Sequence, residues 1–317
     1  MRVTLSIFLI TSILFSTGGH AGSSFRFGTN AREISLANSM VASNNFGFNA
    51  FTNPAILPLN KQRYVGSSLL FIPGNRNIQT FTYSQDLPPG AAAAISFFRA
   101  GAKAIGIDEN EVYIGDLGYS DGYIMLSFGI SFSKHISVGI SAKTLLQKFS
   151  IPGENKYTSN GIAIDLGIYA SLENLNLGIK VESGKYNFKQ EMSGINVQYE
   201  EIIPFRIIPG ISYTINKSVL LLVQHEVAKL DLSYLNRSSF GVEYSMNYHI
   251  PIFFRIGVKH KQWKEDYSLL LKNIKLKPSL GIGCQLTLMN KLLTNLDYGV
   301  LIDKIGMHNL FSMSIEL

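Results

Sequence analysis

Residues 31–58 read AREISLANSMVASNNFGFNAFTNPAILP. Ile34, Ala37 and Met40/Val41 recur at helical spacing and Leu36 thickens that apolar face, while Arg32, Glu33, Ser35, Asn38 and Ser39 take the other side. The spacing predicts a short helical run. A stretch rich in Asn, Phe and Gly follows and closes on Asn53-Pro54-Ala55. A residue before proline is kept out of the helical region, so this tripeptide predicts a sharp, fixed turn. Past it the period changes to two and stays there to the last residue. A small amphipathic element followed only by strands fits a plug ahead of a barrel. It also fits a helix that caps one end of a β-domain.

Working outward, the alternation is regular. Phe128, Ile130 and Phe132 alternate with Ser and Gly. Ile136, Val138, Ile140 and Ala142 alternate with Ser137, Gly139, Ser141 and Lys143. Ile162 to Ile168, Leu175 to Val181, Phe240 to Met246 and Leu280 to Leu288 repeat the pattern. In a soluble sheet the apolar face is the core and the polar face meets water. In a membrane barrel lipid lies outside and the lumen is polar. Alternation alone does not choose between them.

Connection lengths and the ends of the chain do. From Lys61 onward about fourteen strand candidates can be counted, an even number as single-chain bacterial barrels have. Connections such as Pro88-Pro89-Gly90, Lys134-His135, Asn216-Lys217 and Met289–Lys291 are tight. Ala100–Asp121, Ile151–Tyr157, Phe188–Ile202 and His260–Lys277 read as long loops. Short turns on one rim and long loops on the other is the barrel arrangement, and the spacing suits strands of about 9–11 residues. The last strand runs Phe311, Met313, Ile315, Leu317 against Ser312, Ser314, Glu316, right to the carboxylate.

The first 21 residues read as an export signal. Met1-Arg2 starts positive, Val3–Phe15 is mostly apolar but too short to span a bilayer as a helix, and Gly19-His20-Ala21 ends a small-residue cleavage region. The expected organisation is a leader over 1–21, a plug over 22–59 and a barrel over 60–317. Of 317 residues, 46% are apolar and only 16% charged, against about a quarter in soluble proteins. A mean hydropathy of +0.15 is too polar for a bundle of membrane helices. The net charge of +6, or +5 without Arg2, is no argument for nucleic acid. Cys284 is alone, which excludes an intrachain disulfide and any cysteine-based metal site.

Ala31-Arg32 leading a small-residue helix into Asn53-Pro54-Ala55-Ile56-Leu57 resembles the FadL-type barrels, more closely their PorV/PorQ branch. So does the tail, Leu296-Asp297-Tyr298-Gly299 followed by Gly306-Met307-His308, and so do Arg255-Ile256-Gly257 and Gly281-Ile282-Gly283. The likeness spans the chain beyond the leader but is sharp only at its two ends. Leu36-Ala37-Asn38-Ser39 departs from the Gly-rich centre of the first helix in the family, and Thr52 stands where an aromatic is common. The resemblance implies a fourteen-stranded transmembrane β-barrel with an N-terminal plug. Its PorV/PorQ branch implies a non-enzymatic partner in type IX protein secretion or surface attachment. The wider family implies a transporter of hydrophobic small molecules such as fatty acids or aromatics.

Charges on the strand face opposite the lipid are the candidate site. Asp165, Lys180, Glu182, Arg206, Glu226, Glu243, Arg255, Lys259, Asp297 and Glu316 all fall there. On the lipid face a Lys or Arg would cost about 2–4 kcal/mol at the midplane. Mixed signs suit networks that seat a plug better than an ion-selective pore. Arg32, Asn53, Pro54, Ala55, Arg206, Glu243, Arg255 and Asp297 are therefore the expected plug and lumen residues, with Arg32 tied to a wall acid such as Glu243 or Asp297.

No cofactor, metal or catalytic residue is assigned. The six histidines show no ligand spacing, and no Ser-His-acid arrangement emerges. The acidic segment Asp108–Asp116 lacks EF-hand spacing. The basic run from Lys259 to Lys277 suits lipopolysaccharide phosphates or water. The partners expected are outer-membrane lipid, secretion or cargo proteins, and hydrophobic small molecules.

Overall fold

Fourteen antiparallel strands close on themselves without an edge. They are β1 (Tyr64–Ile72), β2 (Arg76–Leu87), β3 (Ala91–Ile107), β4 (Tyr113–Ser131), β5 (Ile136–Ser150), β6 (Tyr157–Leu172) and β7 (Leu175–Met192). The second half is β8 (Ile195–Ile215), β9 (Val219–Lys229), β10 (Tyr234–Asn247), β11 (Pro251–His260), β12 (Leu276–Leu288), β13 (Leu292–Asp303) and β14 (Gly306–Glu316). The computed structural model describes residues 21–107, 112–152, 157–192, 195–229, 234–247, 249–260, 276–288, 292–303 and 305–317. The leader up to residue 20, the acidic run 108–111 and most of the basic run, 261–275, lie outside the described residues.

Every strand pairs with its sequence neighbours, and β14 closes on β1 from Tyr64 opposite Glu316 to Phe71 opposite Asn309. The period of two sets the faces. Phe128, Ile140, Ile164, Leu166, Phe254, Ile256 and Phe311 point outward and are exposed, as a lipid-facing band requires. Their neighbours Ser127, Ser141, Asp165, Arg255 and Ser312 point inward and are buried. Cys284 is free and lies on the outward face of β12 beside Ile282 and Leu286.

Two of the expected long loops are strand instead. β3 continues to Ile107 and β4 starts at Tyr113, so most of Ala100–Asp121 is a hairpin ladder. Likewise β7 runs to Met192 and β8 starts at Ile195, absorbing Phe188–Ile202. The 21 residues of β8 are about twice what a bilayer needs, whereas β1 has nine. Among the described residues the wall is therefore tallest over β3–β8. Small residues in Ala100–Gly106 blur the alternation there, and the ladder forms because each strand has a partner already in register.

Residues 22–60 sit inside the barrel. A 3₁₀ turn, Ser23–Arg26, leads to α1 (Ala31–Ser35), α2 (Asn49–Thr52) and a second 3₁₀ turn, Pro54–Leu59. The helical run stops short of Met40, because Ala37 and Asn38 take positive φ values of 54° and 65°. The expected apolar face is buried, with Ile34, Leu36, Ala37, Met40 and Val41 all at 2% exposure or less. So are Arg32, Ser35 and Ser39, from the polar side of that run. In a lumen there is no solvated side. Wall side chains supply hydrogen bonds that water would have supplied, and the backbone follows the wall rather than one helix axis.

Candidate functional site: the plug seat and a polar chamber

α1 is capped by Asn30, whose Oδ1 accepts from Glu33 N at 3.0 Å, while Glu33 reaches back to accept from Thr29 N (2.8 Å) and Thr29 Oγ1 (2.6 Å). This short helix aims Arg32 at the wall. Its Nε and Nη2 each donate to a Glu243 carboxylate oxygen at 2.7 Å, a bidentate fork. Its Nη1 donates to Asn44 O at 2.5 Å, and its guanidinium lies 4.6 Å over the Phe46 ring. Behind Glu243, Arg255 Nε donates to Glu243 Oε2 (2.5 Å) and Arg255 Nη1 to Asp297 Oδ1 (2.6 Å). Arg32, Glu243, Arg255 and Asp297 thus form one alternating chain of four charges from plug to β10, β11 and β13.

Asn53, Pro54 and Ala55 form a second seat. Asn53 is extended, with φ −161° and ψ 111°, as its position before proline demands. Its Oδ1 accepts from Ala55 N at 3.0 Å, and its Nδ2 donates to Val41 O (2.9 Å) and to the wall at Ile168 O (3.1 Å). Lys180 Nζ donates to Phe51 O at 2.6 Å just before it.

Between the seats, inward-facing wall hydroxyls satisfy the irregular plug backbone. Ser68 and Thr80 donate to Thr29 O, Ser279 to Ser35 O, Ser212 to Ala42 O and Ser137 to Ala55 O. Ala31 N donates to Ser312 Oγ in return. Non-regular backbone at membrane depth is tolerated where protein satisfies it in this way.

The wall meets the plug through glycine. Gly129, Gly139 and Gly167 are neighbours across β4, β5 and β6, and Gly178–Gly210, Gly241–Gly257 and Gly281–Gly299 pair across their strands. A Cβ on Gly139 would stand 2.5 Å from Ala55 N, and one on Gly299 would stand 2.6 Å from Ala31 O. Side chains at these positions would push the plug out. The glycines are the part of the seat that charge and hydrophobicity do not reveal, although a glycine inside a strand is itself a sign of close backbone approach.

Arg206, grouped in sequence with the Arg32 clamp, belongs to a different network. It bonds Glu182 and, at 3.1 Å, Glu226, which also sees Arg237 at 3.9 Å. Lys180 joins Glu182 (2.7 Å) to Asp165 (3.2 Å), and Lys143 completes the row at 2.7 Å from Asp165. Beside this row lies a chamber of about 60 Å³, closed on the plug side by Phe25, Arg26, Glu33 and Met40. Arg26 and Arg237 did not stand out in sequence, because neither spacing nor alternation marks them. Lys143 looked like one more polar residue of β5. Nearby, Ser24 donates to Asp121 at 2.5 Å and Tyr186 donates to the other oxygen, while Phe25 packs edge-on against Tyr123 and Phe98.

The wall ladder is interrupted next to this chamber. β8 and β9 pair at Arg206–Ala228 and Ile207–Val227, skip Ile208 and Pro209, and resume at Gly210–Gln224 in the same register. Pro209 has no N–H to give. On the other side of β8 the ladder with β7 bulges between Glu182 and Gly184, opposite Pro204.

No known sequence family matches the chain, and no curated protein matches it in sequence. Solved structures do. A FadL homologue of Pseudomonas aeruginosa superposes with a TM-score of 0.64 at 10% identity, over 91% of this chain and 98% of that one. The CymD monoaromatic hydrocarbon channel gives 0.63 at 12% over 91% and 96%, and the Ralstonia pickettii toluene transporter TbuX gives 0.60 at 12% over 91% and 97%. The fold is that of the FadL-type barrels. At this identity the likeness extends to the path of the chain and not to individual side chains.

Proposed function

We propose that the protein is an outer-membrane channel for hydrophobic small molecules, aromatic or aliphatic, which leave it sideways through the wall at β8–β9. The fold it shares with hydrocarbon channels over nearly the whole chain supports this reading. The observation that carries it is the interrupted ladder at Ile208–Pro209. The barrel axis is closed by a plug seated on backbone contacts, so passage along it would require the plug to leave a buried ion-pair chain. Separating β8 from β9 locally breaks little, because two of their pairs are already absent. The apolar outward band and the leader over 1–21 fit an exported protein surrounded by outer-membrane lipid and lipopolysaccharide. Cells carrying the protein should take up a monoaromatic probe faster than cells without it. Pro209→Ala restores an N–H to the ladder and should cut that gain several-fold with the folded barrel unchanged. Equal uptake with and without the protein would overturn the proposal.

A second reading, a PorV/PorQ-type partner in protein secretion or surface attachment, is favoured by the small space left beside the plug. A chamber of about 60 Å³ is smaller than the roughly 150 Å³ cavity that accommodates benzene. Co-purification of secretion or cargo proteins from native membranes, with no effect on uptake, is its signature.

A further inference from the structure

Charges around the polar chamber do not balance. Five cationic side chains line it, Arg26, Lys143, Lys180, Arg206 and Lys259, against three carboxylates, Glu33, Glu182 and Glu226. Three of the five cations are held. Lys143 pairs with Asp165, Lys180 with Asp165 and Glu182, and Arg206 with Glu182 and Glu226. Among the described residues, neither Arg26 nor Lys259 has a carboxylate within ion-pair distance, and Glu226 is already shared by Arg206 and Arg237. Arg26 Nη2 is buried without a hydrogen-bond partner. Enclosed cations without a directly paired carboxylate are costly, and so is a buried donor left open.

We infer that the chamber binds one small oxyanion, a phosphate, sulfate or carboxylate group, between Arg26 of the plug and Lys259 of β11. Size supports this class. A cavity needs about 10–15 Å³ per enclosed water, so about 60 Å³ holds a handful of waters or one oxyanion, and no aromatic ring. The anion would accept from the open Arg26 nitrogen and from the Lys259 ammonium in charge-assisted bonds. It would fasten the first turn of the plug to β11, the strand that also carries Arg255 of the Arg32 clamp. The inference does not depend on hydrocarbon passage, since uptake and anion binding are read separately.

The test is calorimetric titration of the barrel in detergent, at constant ionic strength, with inorganic phosphate, sulfate and, separately, octanoate. Constant ionic strength removes the screening of surface charges as a cause. Saturable one-to-one binding of phosphate or sulfate, weakened about tenfold or more in both Arg26→Gln and Lys259→Gln, is the expected result. Binding of octanoate alone, with the same dependence on both residues, would identify the oxyanion as the head of an amphiphile. Absence of saturable binding by all three at millimolar concentrations in the unaltered protein overturns the inference, whether or not the variants fold. Undiminished binding in both folded variants overturns it as well, since the anion would then sit elsewhere.

Discussion

Glu33 shows how a residue's meaning changes once the lumen encloses it. In sequence it belongs to the polar side of a helix. In the barrel it faces the chamber, and burial pushes its carboxyl up from an ordinary value of 4.5, against the opposing pull of two Thr29 hydrogen bonds. The folded protein therefore holds this proton to higher pH than the unfolded chain does. Stability from this group is full below the ordinary value, falls as pH rises from there through the raised value, and is level beyond it. Glu33→Gln is neutral throughout and should remove that decline. Urea midpoints of the barrel across about pH 4–8 would show it as a flatter profile, and an unchanged slope would mean that Glu33 does not titrate in this window. Arg32 was legible at this scale, because an isolated cation in a plug needs an acid on the wall. Arg26 and Lys143 were not, because nothing local marks their partners, which come from strands far away in the chain.

At the scale of elements, the plug is held by one ion-pair chain, one Asn-Pro-Ala seat and a belt of glycines. Arg32→Ala removes the plug's own link to Glu243, which keeps only Arg255. Breaking a buried pair typically costs about 3–5 kcal/mol, and the remaining partner places this change toward the lower end. The barrel ladder is untouched, so the expected outcome is a plug that proteases reach and a wall that keeps its folded electrophoretic mobility. Equal protease resistance in the variant would mean that the glycine belt and the wall hydroxyls hold the plug unaided. The stretches the sequence missed are the adjoining ends of β3 and β4 and of β7 and β8, read there as loops. A run such as Ala100–Gly106 has no apolar period to declare itself, and only pairing with a neighbour in register makes it strand.

For the whole molecule, closure is decisive, because an open edge in lipid leaves backbone groups that nothing else can satisfy, at several kcal/mol each. Deleting Met313–Leu317 removes the pairs from Tyr64–Glu316 to Ser67–Met313, along with their partners on β13. The truncated chain should fail to show the heat-modifiable band of a folded barrel, and an unchanged band would mean that β1 and β14 do not need their full ladder. The amino-acid sequence by itself determined the strand alternation, the even strand number, the terminal closing strand, the buried apolar side of the plug and its turn at Asn53-Pro54-Ala55. These follow from period, proline geometry and polarity, which are properties of neighbours in the chain. Only the tertiary structure decided which charges meet, which glycines take the plug, where the wall ladder lapses and where a cationic chamber remains. Those depend on strand register and stagger around the closed barrel, which bring residues two hundred positions apart into contact, as with Arg32 and Glu243.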